Sequence, residues 1–213
     1  MSPGAGVEEL ASGKLIVDEP ADHVARIRIS NPEKRGALDH EILDTLAELL
    51  GRLDARCLLL TGDGPVFSAG YDIGSFDSDT FSEEAESLVA HPFTEAIEAI
   101  EAYRYPAVAA INGHAIGGGL EVAVTCDIRI AARGVKLGMP PAKIGLIYSH
   151  TGLKKFIDVC GVANTNELYS RCSLRSANYL ASRLERCVQR ELLRLPVSDS
   201  LQHPLRNARR RRT

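Results

Sequence analysis

The stretch INGHAIGGGLEVAVTCDIRIAA, residues 111–132, decides how the rest of the chain is read. Three consecutive glycines, Gly117, Gly118 and Gly119, stand where an apolar strand gives way to a helix, and the acid Glu121 follows two residues later. A glycine in a helix costs about 1 kcal/mol relative to alanine, so a run of three at a helix start points to a backbone that must stay bare. The first four N–H groups of a helix have no partner within it, and without side chains in the way they form a site for negative charge. A phosphate loop is weakly supported, because IGGGLE has neither the GxxxxGKS/T nor the GxGxxG spacing. An oxyanion hole, where N–H groups meet a negative oxygen that develops during reaction, needs a second donor.

FSAGYDI, Phe67 to Ile73, is the candidate for that donor, since a strand end followed by Ala69-Gly70 is again a tight turn with exposed N–H groups. Around the two turns the pattern is strand, helix, strand, helix. Lys14–Val17 and Val24–Ile29 read as a hairpin around a Pro and Asp turn, closed by Asn31-Pro32. Asp39 is placed to cap a helix whose Ile42, Leu43, Leu46, Leu49, Leu50 and Leu53 recur at helical spacing. Cys57–Leu60 reads as a buried strand, residues 83–104 as a second amphipathic helix with Phe93, Ile97 and Ile100 on its inner face, and AVAAI after Pro106 as another strand. A helix over Leu120–Cys126, the strand DIRIAA, a proline-rich loop and a helix over Leu153–Cys160 complete an α/β domain with a buried sheet.

With 213 residues and 45% hydrophobic composition, one well-cored domain over residues 1–169 is expected. Beyond Tyr169 the composition changes. Residues 170–213 carry eleven arginines and three acids, a net +8 against −11 for the rest, and contain neither lysine nor glycine. This atypical basic tail reads as a frayed terminus, as an end produced by a shifted reading frame, or as a basic arm; nucleic acid is not an expected partner. The five cysteines are scattered without CxxC spacing, which points to free thiols and to no metal site. With no apolar run of about 20 residues and no signal-like amino terminus, a cytoplasmic protein without a membrane partner is expected.

FSAGYDI, followed about forty residues on by AINGHAIGGGLEVAVTCDIRIAA, resembles the enoyl-CoA hydratase/isomerase family, the crotonase superfamily. NPEKRGAL at Asn31–Leu38 and GVANTNEL at Gly161–Leu168 are similar to it too, so the resemblance covers roughly residues 12–170. It implies a crotonase (ClpP-like) fold of repeated ββα units, with an atypical or truncated C-terminal region. It implies an acyl-CoA thioester as substrate, coenzyme A being part of that substrate with no separate cofactor, and a homotrimer or hexamer as the assembly.

By the same resemblance, the N–H groups of Tyr71 and Gly118 polarise the thioester carbonyl, and Glu121 serves as acid/base or water-orienting residue. Ala69, Gly70, Asp72 and Ile73 belong to the binding turn, and Lys34 and Arg35 are placed to meet the phosphates of CoA. Where hydratases of the family read close to PE, this chain has Pro140-Pro141, so the second glutamate of water addition is absent. MPPAKIGLIYSHTGL instead resembles the loop of the family's methylmalonyl-CoA decarboxylases, with Tyr148 placed to orient a departing carboxylate. Hydratase or isomerase chemistry, decarboxylation, and a catalytically inactive CoA-binding protein therefore all stand as readings. His114, without a visible partner, is read as structural.

Overall fold

The amino-terminal hairpin forms as expected: β2 (Leu15–Ala21) and β3 (Val24–Ile29) pair antiparallel with Val17 opposite Ile27, and β1 (Glu8–Leu10) adds to the far edge of β2. Leu15, Val17, Ala25, Ile27 and Ile29 are buried, the alternation expected of strands with one face in a core. The computed structural model describes residues 6–74, 87, 89–144, 146, 148–170 and 175–176. The basic tail, apart from residues 175–176, lies outside them.

After β3 come the short strand β4 (Ala37–Leu38) and helix α1 (His40–Arg52). Asp39 caps α1 by accepting the Ile42 N–H at 2.9 Å, a contact worth about 1 kcal/mol. Lys14 Nζ lies 2.5 Å from the same carboxylate and ties the hairpin to the helix start. The stripe Ile42, Leu43, Leu46, Leu49 and Leu50 is buried, whereas Leu53 ends the helix.

The same unit then recurs: β5 (Cys57–Gly62), β6 (Val66–Ser68), β7 (Gly70–Tyr71) and α2 (Thr94–Glu101); β8 (Ala107–Ile111), β9 (His114–Ile116) and α3 (Gly118–Thr125); β10 (Ile128–Ala131), β11 (Lys136–Gly138) and α4 (His150–Cys160). Helix α5 (Val162–Ser170) and the short strand β12 (Arg175–Ser176) follow. The first strand of each unit joins one sheet, in the order β1-β2-β3-β5-β8-β10, with β3, β5, β8 and β10 parallel. Strands β6, β9 and β11 run parallel in a second sheet edged by β12, and β4 pairs with β7. Parallel neighbours need a long crossover; here each crossover visits the second layer and returns by a helix, which is the repeated ββα unit.

Two expectations change. The second helix is α-helical at residue 87 and over Thr94–Glu101, with a wider turn between them at Val89–Phe93 that contains Pro92, whose nitrogen has no hydrogen to donate to a regular helix. Residues 83–86 and 88 of the predicted span lie outside the described residues. His114–Ile116, between the expected strand and the glycines, forms a further strand, β9, because its backbone has partners on both sides in β6 and β11. His114 has a structural partner after all, its Nδ1 accepting the Lys136 N–H at 3.0 Å.

Candidate active site

The turn FSAGYDI is fastened along one edge by NPEKRGAL. Ala69 donates its N–H to the Arg35 carbonyl at 3.1 Å and Asp72 to that of Leu38 at 2.9 Å, while the Ser68 hydroxyl donates to Gly36 at 2.7 Å. The Gly70 N–H is taken by Ser68 Oγ at 3.1 Å. Successive N–H groups of a strand point in opposite directions, so that of Tyr71, between Gly70 and Asp72, faces away from β4. On the facing turn, Gly117 donates to Gly138 at 2.9 Å and Gly118 opens α3, leaving its N–H among those with no helical partner.

The two turns touch. Gly70 has φ +95°, and a Cβ there would stand 2.7 Å from the Ile116 carbonyl oxygen and 3.2 Å from the Gly118 nitrogen. At Gly118 a Cβ would collide with the Tyr71 ring. The bare backbone of Gly118 thus makes room for a side chain of the opposite turn, where the sequence suggested room for a ligand.

Beside the junction lies a cavity of about 240 Å³. Ala69, Gly70, Tyr71, Ile73, Gly117 and Gly118 line one side of it, and Met139, Pro140, Pro141, Lys143, Leu146 and Tyr148 the other. Lys34, Arg35 and Asp72 do not line it. Lys34 Nζ lies 2.5 Å from the buried Asp72 carboxylate, and Arg35 is exposed in a left-handed turn at φ 56°; both support the turn from behind.

Glu121 stands three residues into α3 from Gly118 and is only 4% exposed. Its carboxylate does not line the first cavity; it lines a second, of about 360 Å³, between α2 and α4. The link between the two is Tyr148, whose hydroxyl donates a hydrogen bond to Glu121 Oε2. Burial pushes the Glu121 carboxyl up to about 7; Lys155 opposes this and Glu101 adds to it. Lys155 and Glu101 are themselves paired at 2.6 Å. Tyr148 also packs edge-on against Tyr169, with ring centroids 5.3 Å apart.

Sequence reasoning missed three features. Lys143, one turn after Pro140 on the 3₁₀ segment Pro141–Ile144, lines the first cavity; the i, i+3 register of such a turn was the available signal. The Tyr71 side chain, considered only for its backbone, is enclosed and has a buried hydroxyl without a hydrogen-bond partner. The second cavity depends on the packing of α2 against α4 and has no local signature.

The sequence profile of the enoyl-CoA hydratase/isomerase family matches residues 19–182. A Bacillus subtilis (strain 168) protein named "Probable enoyl-CoA hydratase" is 39% identical over 158 residues, covering 72% of this chain and 59% of that protein. Among solved structures, an enoyl-CoA hydratase/carnithine racemase from Magnetospirillum magneticum superposes with a TM-score of 0.75 at 26% identity, covering 84% of this chain and 70% of the other. A Thermobifida fusca protein in complex with acetoacetyl-CoA superposes with a TM-score of 0.74 at 28% identity, covering 86% and 75%. The fold, with its paired turns, is that of the crotonase superfamily. The chain belongs to the enoyl-CoA hydratase/isomerase family, and it spans 59% of the length of the Bacillus relative. The match runs on to residue 182, past the change in composition at Tyr169. Among the described residues no helix is long and apolar enough to cross a membrane.

Proposed function

We propose that the chain transforms an acyl-CoA thioester by stabilising its enolate between the N–H groups of Tyr71 and Gly118. The observation that carries this reading is the meeting of the two turns, with the position of a Gly70 Cβ only 3.2 Å from the Gly118 nitrogen, beside a cavity both turns line. Two preorganised donors at a developing oxyanion are each worth about 3 kcal/mol in the transition state. Glu121 works through Tyr148: as the phenol oxygen accepts a proton from the substrate, its own proton passes along the hydrogen bond to the carboxylate, and the reverse transfer delivers one. An acid poised near 7 suits both directions at neutral pH. The Thermobifida complex with acetoacetyl-CoA supports a CoA thioester as ligand. A homotrimer or hexamer is the proposed assembly, and the cytoplasm the proposed location.

Incubation with a short 2-enoyl-CoA, followed by mass spectrometry of the thioester and of deuterium incorporation next to its carbonyl, tests this reading. Hydrated product or exchanged hydrogen, lost in Glu121→Gln, is the expected result; binding without either reaction in any substrate identifies an inactive CoA-binding protein.

One observation favours a second reading, decarboxylation of a branched malonyl-CoA-type thioester. Among the described residues, no carboxylate lines the first cavity, whereas Pro140, Pro141 and Tyr148 do. Loss of carbon dioxide itself generates the enolate, so no general base is required. Carbon dioxide release from methylmalonyl-CoA that survives Glu121→Gln would select this reading over hydration.

A further inference from the structure

Tyr71 stands in the wall between the two cavities. Its ring lines the first, while its edge packs on Phe93, a residue of the second, with centroids 4.8 Å apart. The ring leans on the bare Gly118 on one side, and Glu121, which lines the second cavity, lies within electrostatic reach of its phenol. That hydroxyl is buried without a hydrogen-bond partner. A buried, unpaired hydroxyl is a penalty the folded state carries, and it is relieved if the ring turns out toward water or a polar ligand atom. The ring therefore has aromatic packing to hold it and no hydrogen bond to lock it.

We propose that Tyr71 is a specificity-determining gate: closed, it confines the acyl group to the first cavity, and swung aside, it opens a channel into the second for a longer acyl chain. The second cavity offers Phe93 and Ile97 for the tail to lie on. Four of its six charged side chains form ion pairs, Lys155 with Glu101 at 2.6 Å and Lys154 with Asp158 at 2.5 Å, Glu121 accepts from Tyr148, and Glu101, Lys154 and Asp158 stand in solvent at the outer end. A tail passing Tyr71 lies along Phe93 and Ile97, beside the Glu121–Tyr148 pair, and ends toward the exposed charges. A closed cavity of about 240 Å³ suits a short acyl group; the added volume of about 360 Å³ accommodates several further methylenes. This inference rests on the acyl-CoA reading above.

The test measures binding of saturated butanoyl-CoA and octanoyl-CoA, which carry no double bond to hydrate, to the full chain by calorimetry and stopped-flow fluorescence. In the wild type, octanoyl-CoA is expected to associate more slowly than butanoyl-CoA, because its entry waits for the gate. Tyr71→Ala removes the delay and raises the octanoyl-to-butanoyl affinity ratio by roughly tenfold, the worth of two buried methylenes. Tyr71→Phe, which keeps the ring, preserves the delay. Ile97→Trp, which fills the second cavity without touching Tyr71, lowers the ratio and stands in if Tyr71→Ala does not fold. A ratio unmoved by these variants, with butanoyl-CoA still bound, overturns the gate and leaves the acyl-CoA reading intact. Failure of every thioester to bind overturns both.

Discussion

The phenol of Tyr148 donates a hydrogen bond to Oε2 of Glu121, joining a loop residue to a helix residue 27 positions away in sequence. Tyr148 faces the cavity at the two turns and Glu121 the cavity behind it, so the proposed proton relay runs through the wall between them. A carboxylate that only its neighbour connects to substrate depends on that neighbour for both its reach and its protonation.

If Tyr148 is that connection, Tyr148→Phe has two effects. The lost donor had favoured ionised Glu121, so the carboxyl moves above its value of about 7, and the acid limb of the pH-rate profile for hydrogen exchange shifts to higher pH. The rate itself falls by about 10²-fold, the lower end of what a positioned proton donor contributes. A profile that keeps its limb in place would show that Tyr148 does not act on Glu121.

Lys155 offers an independent route to the same group. Its charge lowers the proton affinity of Glu121 and Glu101 raises it, so Lys155→Met is expected to move the acid limb upward and Glu101→Gln downward. Opposite shifts distinguish this electrostatic effect from loss of structure at α4, which would affect rates without a sign.

Glu121 also links stability to pH. Its folded value of about 7 lies above the ordinary 4.5, so the native state holds this proton more firmly than the unfolded chain does. Below the ordinary value both states are protonated and nothing is lost; across the window up to about 7 the unfolded chain releases its proton first, and native stability falls. The full penalty, about 3 kcal/mol, is reached above that window. Glu121→Gln escapes it, so urea titrations should show the variant gaining on the wild type by up to that amount between about pH 4 and pH 8.

Gly70→Ala tests the contact between the turns. The added methyl meets the Ile116 carbonyl at 2.7 Å from a residue at φ +95°, and the clash and backbone strain together cost about 2 kcal/mol or more. A lowered urea midpoint, accompanied by weaker butanoyl-CoA binding, is expected. Binding that survives intact would separate the turn contact from the thioester site.

Much of the scaffold is written locally. The alternation in Leu15–Val17 and Val24–Ile29, the Asp39 cap with its leucine stripe, and the apolar run of AVAAI each carry a period or a cap that belongs to one element. The two glycine turns were legible as well, because bare glycines at a strand end and a helix start are a local demand on the backbone. The wider turn inside the second helix was not: the apolar spacing runs on across the segment where Pro92 removes a backbone donor.

The sequence alone determined the main strands and helices of the scaffold, the two turns and the family, since periodicity, caps and motif spacing are properties of neighbouring residues. Only the tertiary structure decided that Gly118 is bare for the Tyr71 ring, that Lys34 is engaged by Asp72, and that Glu121 faces a second cavity and meets the first through Tyr148. Those outcomes depend on which side chains meet across the packed layers, and distances between residues remote along the chain are fixed by packing and by no local pattern.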